Sequence, residues 1–175
     1  MYYSKKNILH SGAVILIILL FSLFQNTAGI LPAPFGARAF LLIPLAVYIG
    51  MFERSVKGAL FGAFIGILWD ISSAKDGYFA LMMFLTTFFC SLMISYLMRE
   101  NFVTAFVLTL FCLAVNISIY ILVFYTFSGV KNISPFIFRF YIPSFIYTLI
   151  LSPFQYYLIK AIYKTVKTTG EYAYD

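Results

Sequence analysis

From Tyr78 to Met98 the chain carries no charged residue. At about 1.5 Å of rise per residue, such a run crosses the ~30 Å hydrocarbon core of a bilayer as one helix. It is bounded by Asp76-Gly77 on one side and Arg99-Glu100-Asn101 on the other, and the pattern of apolar run and short polar break repeats along the chain. Spans are expected at about 8–25, 39–52, 57–71, 78–98, 102–127 and 136–159, followed by a short basic tail over 160–175. With 63% hydrophobic and 10% charged residues, little sequence is left for a soluble domain, so residues 1–175 read as a single integral membrane domain. The runs are continuous and lack the in-out alternation of barrel strands, which excludes an outer-membrane barrel. The fold expected is an all-α polytopic membrane protein, a compact six-helix bundle.

The first run follows Lys5 and Lys6 and leads into Gln25-Asn26-Thr27-Ala28-Gly29 without a clear Ala-x-Ala site, so it reads as a retained anchor rather than a signal peptide. Six spans place Lys5, Lys6, Arg54, Lys57, Arg99, Lys160, Lys164 and Lys167 on the side of both termini. Arg38, Lys75, Lys131 and Arg139 fall on the other. That excess places both termini in the cytoplasm. The net charge of +6 is spread over short polar segments, unlike the basic patch of a nucleic-acid binder, and nucleic acid is not expected as a partner. One His and two Cys without CxxC spacing give no basis for a metal site, and no cofactor is expected.

Gly58, Gly62 and Gly66 recur every fourth residue in the third span, and Asp70 occupies the next step. This spacing keeps them on one helical stripe, where a second helix can approach closely and meet the carboxylate near the membrane edge. The stripe serves internal packing or the positioning of Asp70 for a partner or ligand. Asp70 and Asp76 have no activated Ser, Cys or His beside them in sequence, so a catalytic pair is not expected. Asp76-Gly77 reads as a turn that starts the fourth helix. Arg139 is placed to pair with either carboxylate at the outer rim or to snorkel to the interface. Pro44, near the start of the second span, is tolerated there or kinks it, and Pro143 and Pro153 break the sixth span, which argues for bends or a re-entrant portion rather than a straight rod.

Thr87, Ser91 and Ser95 form a weakly polar stripe on the fourth span, suited to packing or to the edge of a lipid-sized cleft. Asn116 in the fifth span needs a hydrogen-bond partner on a neighbouring helix. Glu53, Arg54 and Lys57 form a cytoplasmic turn, read as orientation signal or as a handle for a partner. Lys160, Lys164 and Lys167, near Tyr156, Tyr157 and Tyr163, favour contact with an anionic lipid surface.

Residues 40 to 98 resemble the rod shape-determining membrane protein family MreD. The resemblance is carried by Pro44 in an apolar second span, Phe52-Glu53-Arg54 at its end, the stretch from Gly58 through Gly62 and Gly66 to Trp69-Asp70, and Gly77 before Tyr78-Phe79-Ala80. Trp69 stands where the family pattern has a smaller aliphatic residue. The resemblance implies a non-enzymatic inner-membrane scaffold of the cell-elongation and peptidoglycan-synthesis machinery. Its partner would be an MreC-like bitopic protein, with an MreB-like filament and the peptidoglycan polymerase and transpeptidase reached indirectly. It also implies a bundle like the substrate-binding subunit of energy-coupling-factor transporters. Gly58, Gly62, Gly66, Asp70 and Gly77 are the positions that carry over, none with a catalytic role. The alternative is a small-molecule-binding subunit of a vitamin transporter of that class, and a membrane enzyme is a third choice.

Overall fold

The computed structural model describes residues 2–27, 38–53, 56–74, 77–97, 99–126 and 137–171, with side chains over 10–27, 38–53, 56–74, 77–97, 99–124 and 137–164. Six α-helices run up and down: α1 Tyr2–Asn26, α2 Leu42–Phe52, α3 Val56–Ser73, α4 Tyr78–Tyr96, α5 Phe102–Ile121 and α6 Ile142–Glu171. A π-helical turn, Leu122–Thr126, extends α5, and another, Ile137–Tyr141, leads into α6. Among the described residues, Val56–Ser73, Tyr78–Tyr96, Phe102–Phe124 and Ile137–Lys164 are long and apolar enough to cross a membrane. His10–Asn26 and Leu42–Phe52 are shorter apolar helices. The outer surface displays Leu16, Leu60, Val103, Ile150 and Phe154, all exposed, while Thr87, Thr109, Thr148 and Ser152 are completely buried. Apolar outside and polar within is the arrangement hydrocarbon selects. The molecule is an all-α, six-helix, polytopic membrane bundle.

The bundle is organised around α2. Every residue from Leu42 to Met51 is buried, as its uniformly apolar sequence requires, and α2 touches each of the other five helices. With 11 residues it is about 16 Å long, roughly half a hydrocarbon core. Its leading backbone therefore needs protein partners. The Arg38 and Phe40 N–H groups donate to Ser144 Oγ (3.2 Å) and Thr148 Oγ1 (2.8 Å) of α6, and the Leu42 N–H donates to Gln25 Oε1 of α1 (2.9 Å). Gln155 Nε2 donates to Leu41 O at 3.3 Å. Pro44 sits in the first turn, where its missing N–H is no loss, so it starts α2 rather than kinking it. Pro143 is the second residue of α6, directly after the π-helical turn, and Pro153 lies inside a helix that continues past it.

At the end bearing the termini, His10 Nε2 lies 3.0 Å from Glu53 Oε2, the His10 ring meets Tyr163 edge-on, and Tyr163 stacks on Phe52. This cluster ties α1, α2 and α6 together. Helix α6 runs on through the basic stretch to Glu171, with Lys160 Nζ 5.5 Å above the Tyr156 ring. The fourth span ends at Tyr96 and the third extends to Ser73.

The closest helix pair is α3 with α4. A Cβ added at Gly66 would collide with the backbone of Phe79 and Ala80, and one at Gly62 would fall 2.6 Å from Met83 O and against the Thr87 side chain. Backbone cannot yield as a flexible side-chain tip does, so Gly66→Val is expected to destabilise the fold by roughly 3 kcal/mol or more, at the upper end for overpacked cores. Gly12→Ala, with nothing within 4 Å of the added atom, is expected to be neutral or stabilising by up to about 1 kcal/mol. Thermal melting of the two variants in detergent, followed by loss of the monodisperse chromatographic peak, compares them directly.

Candidate functional site

The third and fourth helices meet through one carboxylate. Helix α4 begins after Gly77, whose φ of +77° is a left-handed conformation open to glycine and which has no side chain to cap the helix. Asp70, at the end of α3, supplies the cap instead. Its Oδ1 accepts from the Phe79 N–H at 2.9 Å and its Oδ2 from the Ala80 N–H at 2.8 Å. Both oxygens thus meet N–H groups of the first turn that no helical carbonyl can serve, at the positive end of the helix dipole. Asp70 is only 7% exposed, so the expectation of a carboxylate near the outer membrane edge is refined to one buried between two helices.

This cap positions an aromatic wall. Trp69 and Phe79 stack with ring centroids 4.2 Å apart and planes 5° from parallel, and Phe79 in turn stacks on Tyr120 of α5 at 5.7 Å. The wall faces a cavity of about 460 Å³ at the bundle end opposite the His10–Glu53 cluster, within the size range of small-ligand sites, ~300–1,000 Å³. Phe40 and Ile43 of the α2 start, Ile117 of α5, and Tyr141 and Ser144 at the α6 start complete its sides, with Arg38 at its margin. Trp69 is therefore a wall residue of the cavity.

Asn116 reaches the cavity from α5 and bridges to α4, its Nδ2 donating to Thr86 Oγ1 at 3.0 Å and to Cys112 O at 2.8 Å. The neighbouring-helix bond expected of this amide is present. Nearby, Cys90 Sγ and Cys112 Sγ stand 3.6 Å apart as buried thiols. Among the described residues, no group of three His, Cys, Asp or Glu side chains could hold a metal ion.

The remaining sequence-derived positions divide by location. Gly62 and Gly66 face α4, but Gly58 does not: its Cβ would meet the Glu53 carbonyl of the preceding turn. Thr87 is fully buried, with its hydroxyl donating to Met83 O at 2.7 Å, and Ser91 is buried, whereas Ser95 is exposed and leaves the stripe. The helix turns about 100° per residue, so four-residue steps drift off a face within a few turns. Glu53 is half-buried against His10 rather than a free surface handle; Lys57 is exposed; Arg54 and Asp76 lie outside the described residues. Gly50 was missed by the sequence reading. Its Cβ would fall 2.5 Å from Thr87 O, so α2 also approaches α4 through glycine, but a single glycine in an apolar run gives no periodic signal.

Fold and site define a class, a polytopic α-helical membrane bundle with an aromatic cavity at one end. Compared with family models, curated proteins and solved structures, the chain finds no match in any of the three.

Replacing Asp70 by Ala strips both acceptors from the α4 cap and is expected to destabilise the bundle by about 2 kcal/mol or more, beyond the usual value for one capping side chain. Asp70→Asn keeps one acceptor and should lose roughly half as much. Melting temperatures of the pair, measured in the same detergent, report the difference, and equal melting of Asp70→Ala and the parent would contradict the cap.

Proposed function

We propose that this chain is a non-enzymatic scaffold of the bacterial cell-elongation and peptidoglycan-synthesis machinery, set in the inner membrane with both termini in the cytoplasm. It holds an MreC-like bitopic partner in a fixed orientation. The observation that carries this reading is the cavity at the end opposite the termini, walled by the same stretch that resembles the MreD family. Gly62, Gly66, Asp70 and Gly77 build the rigid α3–α4 corner, and Trp69 and Phe79 on that corner form a stacked surface for the partner's membrane-proximal segment. In this arrangement the partner's own span lies against the lipid-facing surface, its first external residues enter the cavity, and catalysis belongs to the wall enzymes that the assembly gathers.

The same cavity also favours a second reading, a small-molecule-binding subunit of an energy-coupling-factor vitamin transporter, since its size suits a vitamin-like ligand. The two differ in what stays bound. Affinity purification from native membranes in mild detergent, with mass spectrometry of near-stoichiometric proteins, is expected to recover the bitopic partner. Recovery of an ATPase with a transmembrane coupling subunit would favour transport and overturn the scaffold. Ile117→Trp, which fills the cavity from a half-buried position on α5, is expected to abolish partner recovery while leaving the melting temperature within a few degrees of the parent. Undiminished recovery would remove the cavity from the interface.

A further inference from the structure

The cavity carries two polar features that its aromatic walls do not explain. The first is the orientation of Asn116. Its side-chain nitrogen spends both hydrogens, on Thr86 Oγ1 and Cys112 O. The Thr86 hydroxyl gives its own hydrogen to Met82 O at 2.8 Å, so its oxygen can only accept from Asn116, and a main-chain carbonyl can only accept. These partners fix the amide with nitrogen toward the helix seam and oxygen away from it. Asn116 Oδ1 has no donor among the described residues, in a side chain 8% exposed that lines the cavity one turn further into the bundle than Tyr120. That oxygen is left as an acceptor open to the cavity, where a donor carried by an occupant can reach it.

The second feature is Arg38. It is exposed at the cavity margin, its main-chain N–H is fixed to Ser144 Oγ, and its guanidinium has no ion-pair partner among the described residues. The nearby carboxylate of Asp70 is committed to the α4 cap.

We infer that the cavity selects a peptide segment carrying a donor-tipped aromatic side chain, Trp or Tyr, close in sequence to an acidic residue. The indole N–H or phenol O–H donates to Asn116 Oδ1, the ring lies along the Trp69–Phe79–Tyr120 wall, and the carboxylate meets Arg38 at the margin. A large apolar body with one polar tip suits an aromatic cavity whose lining offers the Asn116 carbonyl oxygen and also the buried Tyr78 hydroxyl. The inference rests on the scaffold reading, in which the occupant is the partner's membrane-proximal segment, and adds the chemistry by which that segment is recognised.

The test uses the full chain in lipid nanodiscs, titrated with the purified full-length bitopic partner from the same bacterium at several salt concentrations. Asn116→Leu is expected to weaken binding at least about tenfold, because the partner's donor is then buried unpaired. Thr86→Ala breaks the same seam bond but leaves the acceptor in the cavity, and is expected to weaken binding less than about threefold. Arg38→Gln, at an exposed position where folding is not at stake, is expected to remove most of the salt dependence of binding. Equal losses for Asn116→Leu and Thr86→Ala would show a merely structural amide and overturn the donor half of the inference. Unchanged salt dependence in Arg38→Gln would overturn the acid half, also where Asn116→Leu fails to accumulate. Full partner binding by Ile117→Trp would take the cavity out of the interface and overturn the inference alone, no binding of the bitopic partner by the parent chain would overturn the scaffold reading beneath it, and a co-purifying small molecule displaced by the partner would replace the peptide as occupant.

Discussion

Hydrocarbon offers no hydrogen-bonding partner, so every backbone group that ends inside the membrane must be met by protein. This constraint shapes the bundle more than any other, because its central helix α2 is about half as long as the core it sits in. A segment entering that deep would carry orphan N–H groups at the costliest place for them. Ser144 and Thr148 of α6 and Gln25 of α1 accept from the N–H groups of Arg38, Phe40 and Leu42, and Gln155 of α6 donates to the Leu41 carbonyl. Ser144, Thr148 and Ser152 lie one turn apart along α6 and all face inward. The small hydroxyls let α6 pack against α2 while satisfying it. With α2 held, the other five helices have a fixed surface to pack on.

Asp70 is the same solution at a second helix end. Loop, glycine and acid act together: Gly77 turns the chain in a left-handed conformation, Gly66 lets the α4 backbone approach α3, and Asp70 then reaches the two exposed N–H groups at hydrogen-bond distance. None of the three does this alone. A side chain at position 66 would hold α4 away from the carboxylate, and an α4 set further out would leave a buried charge without its donors, a far greater penalty than an exposed one. The stack of Trp69 on Phe79 is a consequence of this corner, since the two rings belong to the residues flanking the cap.

Much of this was legible beforehand. Six spans follow from hydropathy because membrane helices need long apolar runs, and the close face of α3 follows from Gly62 and Gly66 at four-residue spacing. The partner of Asp70 did not, since nothing in a sequence says whether a carboxylate at a helix end meets water or the N-terminus of the next helix. The short α2 was harder still. Its apolar run reads as a span over about 39–52, and only the serines and threonines of a helix about a hundred residues later reveal that residues 38–41 are not helical. Thr87 and Ser91 were found but Ser95 was grouped with them because strict four-residue steps ignore helical drift. Periodicity finds faces; it does not find the second chain segment that a polar group is waiting for.

The cavity has two kinds of wall, and the difference bears on how a scaffold works. The α3–α4 side is backbone against backbone, closed at Gly62 and Gly66 and pinned by Asp70, so it cannot shift without breaking charged hydrogen bonds. The α5 side is joined to α4 by side chains, Asn116 to Thr86 and Cys90 beside Cys112. Beyond these contacts α5 passes into a π-helical turn, and α6 emerges from another carrying Phe140 and Tyr141. π-Helical turns are wider and recur at functional sites, where they re-aim side chains. A vitamin carrier must enclose its ligand and release it, which favours mobility all round the cavity. A scaffold needs one fixed wall to set the partner's direction and one adjustable wall to fit it. A backbone-packed corner opposite a side-chain seam has the form that the proposed scaffold requires.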